Sequence, residues 1–223
     1  MIRFTTTDQA VMHGVKCMVY SEAGMGKTTL CATAPSPVIL SAESGLLSLR
    51  KVRIPVIEIK TVEDLQEAYN WAATAKEANQ FATICLDSLS EIAEVVLNNA
   101  KRQVKDPRQA YGELLEKMAT LIRYFRDLPG KHVYFSAKME PMKDEMTGVV
   151  RYGPSMPGAK LGPQLPYFFD EVFRLGINKA PNGEMYRYLQ TQPDLQHVAK
   201  DRSGSLNPVE VPHLGQIFTK IGA

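Results

Sequence analysis

Cysteine is scarce in this chain. Its 223 residues contain three, Cys17, Cys31 and Cys85, an odd number with no Cys-x-x-Cys pair. That argues against a disulfide framework or a cysteine-bound zinc, and leaves reduced, buried thiols as the expectation. The histidines (His13, His132, His197 and His213) are scattered without metal-ligand spacing. No run of about 18 apolar residues occurs, so nothing in the sequence is suited to span a bilayer. The opening Met1-Ile2-Arg3-Phe4-Thr5-Thr6-Thr7 lacks the apolar stretch of a signal peptide, and a cytoplasmic location without membrane contact is expected. A dominant charge is also missing. Lys and Arg number 26 against 24 Asp and Glu, a formal net charge of +2. Composition alone therefore does not point to nucleic acid or an anionic membrane. What remains is 44% hydrophobic and 22% charged residues, the balance of a globular protein. A single domain over 1–223, able to bury its core without disulfides, is the expectation.

Short apolar runs alternate with longer amphipathic ones. Strands are expected at 15–20, 38–40, 56–59, 82–86 and 132–137. Helices are expected from near Lys27, over 62–79, 88–104 and 108–128, and after Pro212. Pro107 separates two of these helices and Pro129-Gly130 stops the second. Strands alternating with helices predict a parallel sheet covered on both faces. After Ala137 the pattern changes. Residues 139–166, rich in Pro and Gly, read as a flexible loop or hairpin insertion, with a turn at 144–148. Strands at 171–177 and 185–190, joined at Pro181-Asn182-Gly183, and a short one ending near Lys200, predict an antiparallel C-terminal edge. Phe168-Phe169 is expected in the core.

Ser21-Glu22-Ala23-Gly24-Met25-Gly26-Lys27-Thr28 follows an expected strand and opens a helix, with Thr29 next. This is a phosphate-binding P-loop in which Ser21 stands at the first Gly. Glycines let the backbone curl so that several N–H groups face an anion, and the helix adds its positive end. Lys27 is expected on the β- and γ-phosphates of ATP and the Thr28 hydroxyl on Mg²⁺. A second acidic residue at the end of a neighbouring strand is required. Thr83-Ile84-Cys85-Leu86-Asp87 supplies Asp87, which would support Mg²⁺ and also stands where it can cap the next helix.

Hydrolysis needs a carboxylate to orient the attacking water. Ser88, not an acid, follows Asp87, whereas AAA+ ATPases usually carry Asp-Glu there. The candidate is Glu43 in Leu40-Ser41-Ala42-Glu43-Ser44-Gly45, just past the strand that follows the P-loop helix. Here the chain resembles the RecA-like ATPases, which place a catalytic Glu at that point. It is most similar to the small phage-encoded RecA-core ATPases of single-strand annealing recombination. The resemblance rests on residues 21–28, 42–45, 87–88, 153–158, 170–172 and Ala199-Lys200-Asp201-Arg202. It implies a RecA-like α/β core with an antiparallel C-terminal edge. It implies Lys200 and Arg202 reaching across a subunit interface to a neighbour's γ-phosphate in a ring or filament, and a host cytoplasm as the location. At the end of the fifth strand it implies a γ-phosphate sensor, for which Ser136 and Lys138 are candidates.

The same resemblance implies single-stranded DNA as a partner, together with a binding or annealing protein. Local features that fit are the basic run Lys101-Arg102-Gln103-Val104-Lys105-Asp106-Pro107-Arg108 and the residues Lys143, Arg151, Lys160, Tyr152 and Tyr167. Glu140, Asp144 and Glu145 weigh against a simple basic groove. Two other readings stay open. A small-molecule kinase would use Arg151 on a lid. A nucleotide-gated DNA-packaging or loading accessory would hydrolyse little.

Overall fold

The computed structural model describes residues 14–43, 45–143, 146–158 and 160–222. The chain runs through β1 (Lys16–Ser21), α1 (Lys27–Leu30), β2 (Pro37–Ser41), β3 (Val56–Glu58) and α2 (Val62–Thr74). Next come β4 (Thr83–Asp87), α3 (Leu89–Gln103), α4 (Pro107–Arg126), β5 (His132–Lys143) and β6 (Val150–Pro154). It ends with β7 (Glu171–Lys179), β8 (Met185–Gln190), β9 (Lys200–Asp201), β10 (Val209–Glu210) and α5 (Leu214–Ile221).

One sheet carries all of these strands, in the order β10-β8-β7-β1-β5-β4-β2-β3, with β6 beside β5 and β9 beside β7. The six strands from β7 to β3 in that order run parallel. β8, β9 and β10 make an antiparallel outer edge. This is the expected α/β class: a mostly parallel sheet, helices on both faces, and an antiparallel C-terminal edge.

Alternation along each apolar run builds two cores. Met18, Tyr20, Val38, Leu40, Ile84, Leu86, Val133 and Phe135 face α2, α3 and α4. Cys17, Val19, Ile39, Cys85, Tyr134 and Phe173 face α1 and α5. A strand buried on both faces must be apolar at nearly every position, which is why these runs carried no visible alternation. Phe169 is fully buried, and all three cysteines are free and buried. Among the described residues no helix is long and apolar enough to cross a membrane.

Helix starts follow side-chain capping chemistry. Thr61 and Asp64 form a capping box for α2, Ser88 caps α3, and Asp106 with Pro107 opens α4. The helix expected over 62–79 ends earlier, because Ala75 is extended and a 3-10 turn takes Lys76–Gln80. The strand expected to end near Lys200 instead begins there, where Lys200 and Asp201 pair with Val172 and Glu171.

Beyond Ala137, β5 continues to Lys143 and turns back as β6, so Met139–Lys143 pair antiparallel with Val150–Pro154. The turn expected at 144–148 lies partly outside the described residues. Arg151 sits in β6, opposite Met142.

Candidate nucleotide site

The carboxyl ends of the parallel strands share one rim. Register pairs Ser21 of β1 with Lys138 of β5, and Ser41 of β2 with Asp87 of β4. Groups at the ends of these strands therefore meet at the same level, where open α/β sheets bind ligands. A cavity of about 640 Å³ opens there. Ser21, Glu22, Ala23, Gly24, Gly26, Lys27, Thr28, Thr29, Glu43, Asp87, Lys138 and Arg187 are among its walls.

The loop is curled as its sequence requires. Gly24 and Gly26 have φ of 74° and 104°, left-handed values that an L side chain resists. Met25 lies between them, half-buried against the α1 face of the core. Ser21 is still in β1 with extended backbone, so a small residue serves where the motif has Gly. α1 spans only four residues and passes into a 3-10 turn, Cys31–Thr33, ahead of Pro35. The expected helix-dipole contribution is accordingly reduced, and loop amides and Lys27 would carry more of any anion binding.

The Lys27 ammonium donates to the carbonyls of Ser21 (3.0 Å) and Glu22 (2.9 Å) and to Ser21 Oγ (3.2 Å). Burial lowers its pKa, while the nearby Glu43 and Asp87 carboxylates oppose that shift. A partly dehydrated cation over a ring of carbonyls is readily exchanged onto a phosphate, which offers more negative charge.

Asp87 is 2% exposed and fully paired: Thr28 Oγ1 donates to its Oδ2 at 2.7 Å and Ser136 Oγ to its Oδ1. The Asp87–Ser88 peptide is cis. Asp87 is expected at the end of a strand neighbouring β1, and it stands one strand further away. β5 lies between β1 and β4, and the contact is made across it by Thr28. A hydroxyl and a carboxylate on one cavity wall are hard oxygen donors, which fit Mg²⁺ completed by phosphate and water. No cluster of three or more His, Cys, Asp or Glu residues able to hold a metal exists among the described residues, so such an ion would depend on the nucleotide's own oxygens.

Glu43 follows β2. Ser41 Oγ donates to its carbonyl at 2.6 Å, and Ser88 Oγ donates to its carboxylate. Ser88 thus both caps α3 and orients Glu43 toward the cavity. Lys138 pairs with Glu91, which raises its pKa, and its N–H donates to Ser90 Oγ at 3.0 Å. Of the two sensor candidates, Ser136 bonds Asp87 and Lys138 reaches the cavity wall.

Lys200 and Arg202 are not brought to this cavity within one chain. Lys200 donates to the carbonyls of Pro166 (3.0 Å) and Phe169 (2.6 Å), and Arg202 pairs with Asp170 at 2.6 Å. Both lie at the outer edge of β7, level with Glu171 and Val172, whose partners in β1 are Cys17 and Met18 rather than Ser21. Glu171 there is 1% exposed, and burial together with Asp201 pushes its pKa up to about 8.

Sequence reasoning missed Arg187. It lies in β8 opposite Ile177 and lines the cavity close to Gly26. Tyr186-Arg187-Tyr188 carries no motif, so only the pairing of β8 with β7 reveals it.

The family model described as AAA domain (AAA_24) matches residues 13–203. No curated protein matches the chain by sequence. Among solved structures, the KaiC-like protein PH0186 from the hyperthermophilic archaeon Pyrococcus horikoshii OT3 is similar at 16% identity and a TM-score of 0.46. That match covers 79% of this chain and 77% of that one.

Proposed function

Because the chain belongs to the AAA domain family, a P-loop ATPase family, we propose that it binds Mg²⁺-ATP in the β1–β5 rim cavity and hydrolyses it there. One observation carries this reading: Lys27, the Thr28–Asp87 pair, the Ser88-held Glu43 and Lys138 converge on a single cavity. Lys27 exchanges its loop carbonyls for the β- and γ-phosphates. Thr28 and Asp87 are the residues that would hold Mg²⁺, which when bound would supply neutralisation of charge on the phosphate oxygens. Glu43 accepts a hydrogen bond from the attacking water and aligns it with the γ-phosphorus. Lys138 leaves Glu91 for the γ-phosphate, and β5 links that movement to the β5–β6 hairpin.

In an oligomer, Arg202 of one copy acts on the nucleotide of the next, so turnover rises with assembly; Lys200, expected beside it in that role, is held by the carbonyls of Pro166 and Phe169 and braces the edge that presents Arg202. Single-stranded DNA acting in recombination or annealing is the partner on this reading. Support comes from a groove of about 340 Å³ lined by Arg108, Tyr111 and Lys160, which joins the basic run of α3–α4 to the segment after β6. Lys101 lies 5.6 Å over the Tyr111 ring, leaving an aromatic and cations for bases and phosphates.

The test is ATP turnover with and without single-stranded DNA for wild type, Glu43→Gln and Arg202→Ala. Expected are a loss of about 100-fold or more in Glu43→Gln, and loss of the DNA- and concentration-dependent part in Arg202→Ala. Unchanged turnover in both variants would remove these catalytic assignments. A long-lived ATP complex without turnover in wild type would favour the nucleotide-gated accessory instead.

A further inference from the structure

The phosphate cavity continues into a second cleft. Of about 450 Å³, it lies between α1 and the β7–β8 hairpin, and Gly26, Thr29 and Arg187 line both. Glu43, Asp87 and Lys138 line the phosphate cavity and not the second cleft, so the γ-phosphate belongs at their end. A triphosphate in that direction must leave past Gly26 and Thr29, toward Arg187. Its nucleoside then enters the second cleft, whose walls include Leu175, Ile177 and Met185.

The chemistry of those walls decides what they can read. Apart from Arg187, the polar side chains are threonines with hydroxyls already engaged. Thr29 Oγ1 donates to Gly26 O at 2.6 Å, and Thr33 Oγ1 donates to Leu30 O at 2.7 Å and accepts from Leu214 N at 2.9 Å. No carboxylate or carboxamide side chain lines the cleft among the described residues, so no side chain there offers the paired donor and acceptor that distinguish adenine from guanine. A pocket that holds a ligand by apolar contact separates analogues weakly, whereas a hydrogen-bonding one rejects them strongly. A guanidinium stacks on any base and pairs with any phosphate.

The geometry points to a base-tolerant nucleoside subsite: the cleft between α1 and the β7–β8 hairpin takes the base and ribose of any nucleoside triphosphate, and Arg187 grips the ligand where the two cavities meet. This rests on the phosphate-cradle reading above and adds the substrate class, nucleoside triphosphates without base preference. Arg187 is a positioning residue on this account, acting from the same chain as the P-loop.

The experiment is calorimetric binding of Mg²⁺ complexes of ATP, GTP, CTP, UTP and inorganic tripolyphosphate, to wild type, Arg187→Ala and Ile177→Asp, with thermal unfolding as the folding control. Expected are four nucleotide affinities within about tenfold of one another, and tripolyphosphate weaker than all of them by about tenfold or more. Arg187→Ala weakens every ligand by about five- to tenfold. Ile177→Asp weakens the nucleotides more than tripolyphosphate, because its carboxylate enters the second cleft and also pairs with Arg187 across the strands. A preference above 100-fold for one base, tripolyphosphate binding as tightly as the nucleotides, or unaltered affinities in both variants would overturn the subsite while leaving the cradle intact. Failure of wild type to bind any of the five would overturn the cradle and the subsite together. The wild-type comparison alone decides if a variant fails to fold.

Discussion

Two lysines with similar surroundings mark two different regions of this molecule. Lys27 at the rim and Lys200 at the outer edge of β7 each donate to two main-chain carbonyls, and burial lowers the pKa of both. At the rim the carbonyls belong to a curled loop open to a cavity, beside two carboxylates and a hydroxyl–carboxylate pair. At the edge they belong to Pro166, inside a 3-10 turn, and to the buried Phe169 just past it, so Lys200 satisfies backbone groups where that turn enters the core. The same bonds are exchangeable for a ligand in one place and structural in the other. What differs is the space beyond the ammonium.

Substitution sharpens that contrast. The largest expected effect is Lys27→Ala, which should lower ATP affinity by about 100-fold or more in calorimetry, since a charge-assisted contact to phosphate is lost. Its thermal midpoint should stay within about 2 °C of wild type, because the contacts it loses line an open cavity rather than the core. Lys200→Met should behave the opposite way. It leaves the carbonyls of Pro166 and Phe169 unsatisfied and should cost about 1–2 kcal/mol in denaturant unfolding. ATP affinity of the monomer should remain at the wild-type value.

Glu171, beside Asp170 and Asp201 in the same edge, gives a pH test. Its folded pKa of about 8 is above the ordinary 4.5, so its contribution is complete below about pH 4.5 and lost as pH rises toward 8. Glu171→Gln should therefore be more stable than wild type at pH 9, by roughly 2 kcal/mol after discounting for solvent relaxation, and nearly equal at pH 5. An unfolding series across pH checks it, and parallel curves would refute the raised pKa. The smallest effect is expected for Arg202→Ala. Its pair with Asp170 is exposed on both sides, so stability should change by less than about 1 kcal/mol. Any marked loss of turnover in that variant then reports on a neighbouring subunit rather than on folding.

The P-loop was legible because its chemistry is local. Eight consecutive residues carry the end of a strand through a curl into a helix, and glycines must stand where φ is positive. Asp87 was legible for the related reason that an apolar run ended in an acid. The parallel core followed from alternating segment types, and the antiparallel edge from Pro181-Asn182-Gly183. Helix lengths were less legible, since α1 and α2 both give way to 3-10 turns where a proline or an extended residue interrupts them.

By itself, then, the sequence determined which segments could bind an anion and which strands would be buried on both faces, because backbone freedom and apolar periodicity act over a few residues. The tertiary structure alone decided that β5 separates the P-loop strand from that of Asp87, that Ser88 orients Glu43, and that Lys200 is spent on carbonyls. It alone carried Arg187 to the mouth of the phosphate cavity. Each of these depends on strand order and register, which long-range packing fixes and no short stretch of residues encodes.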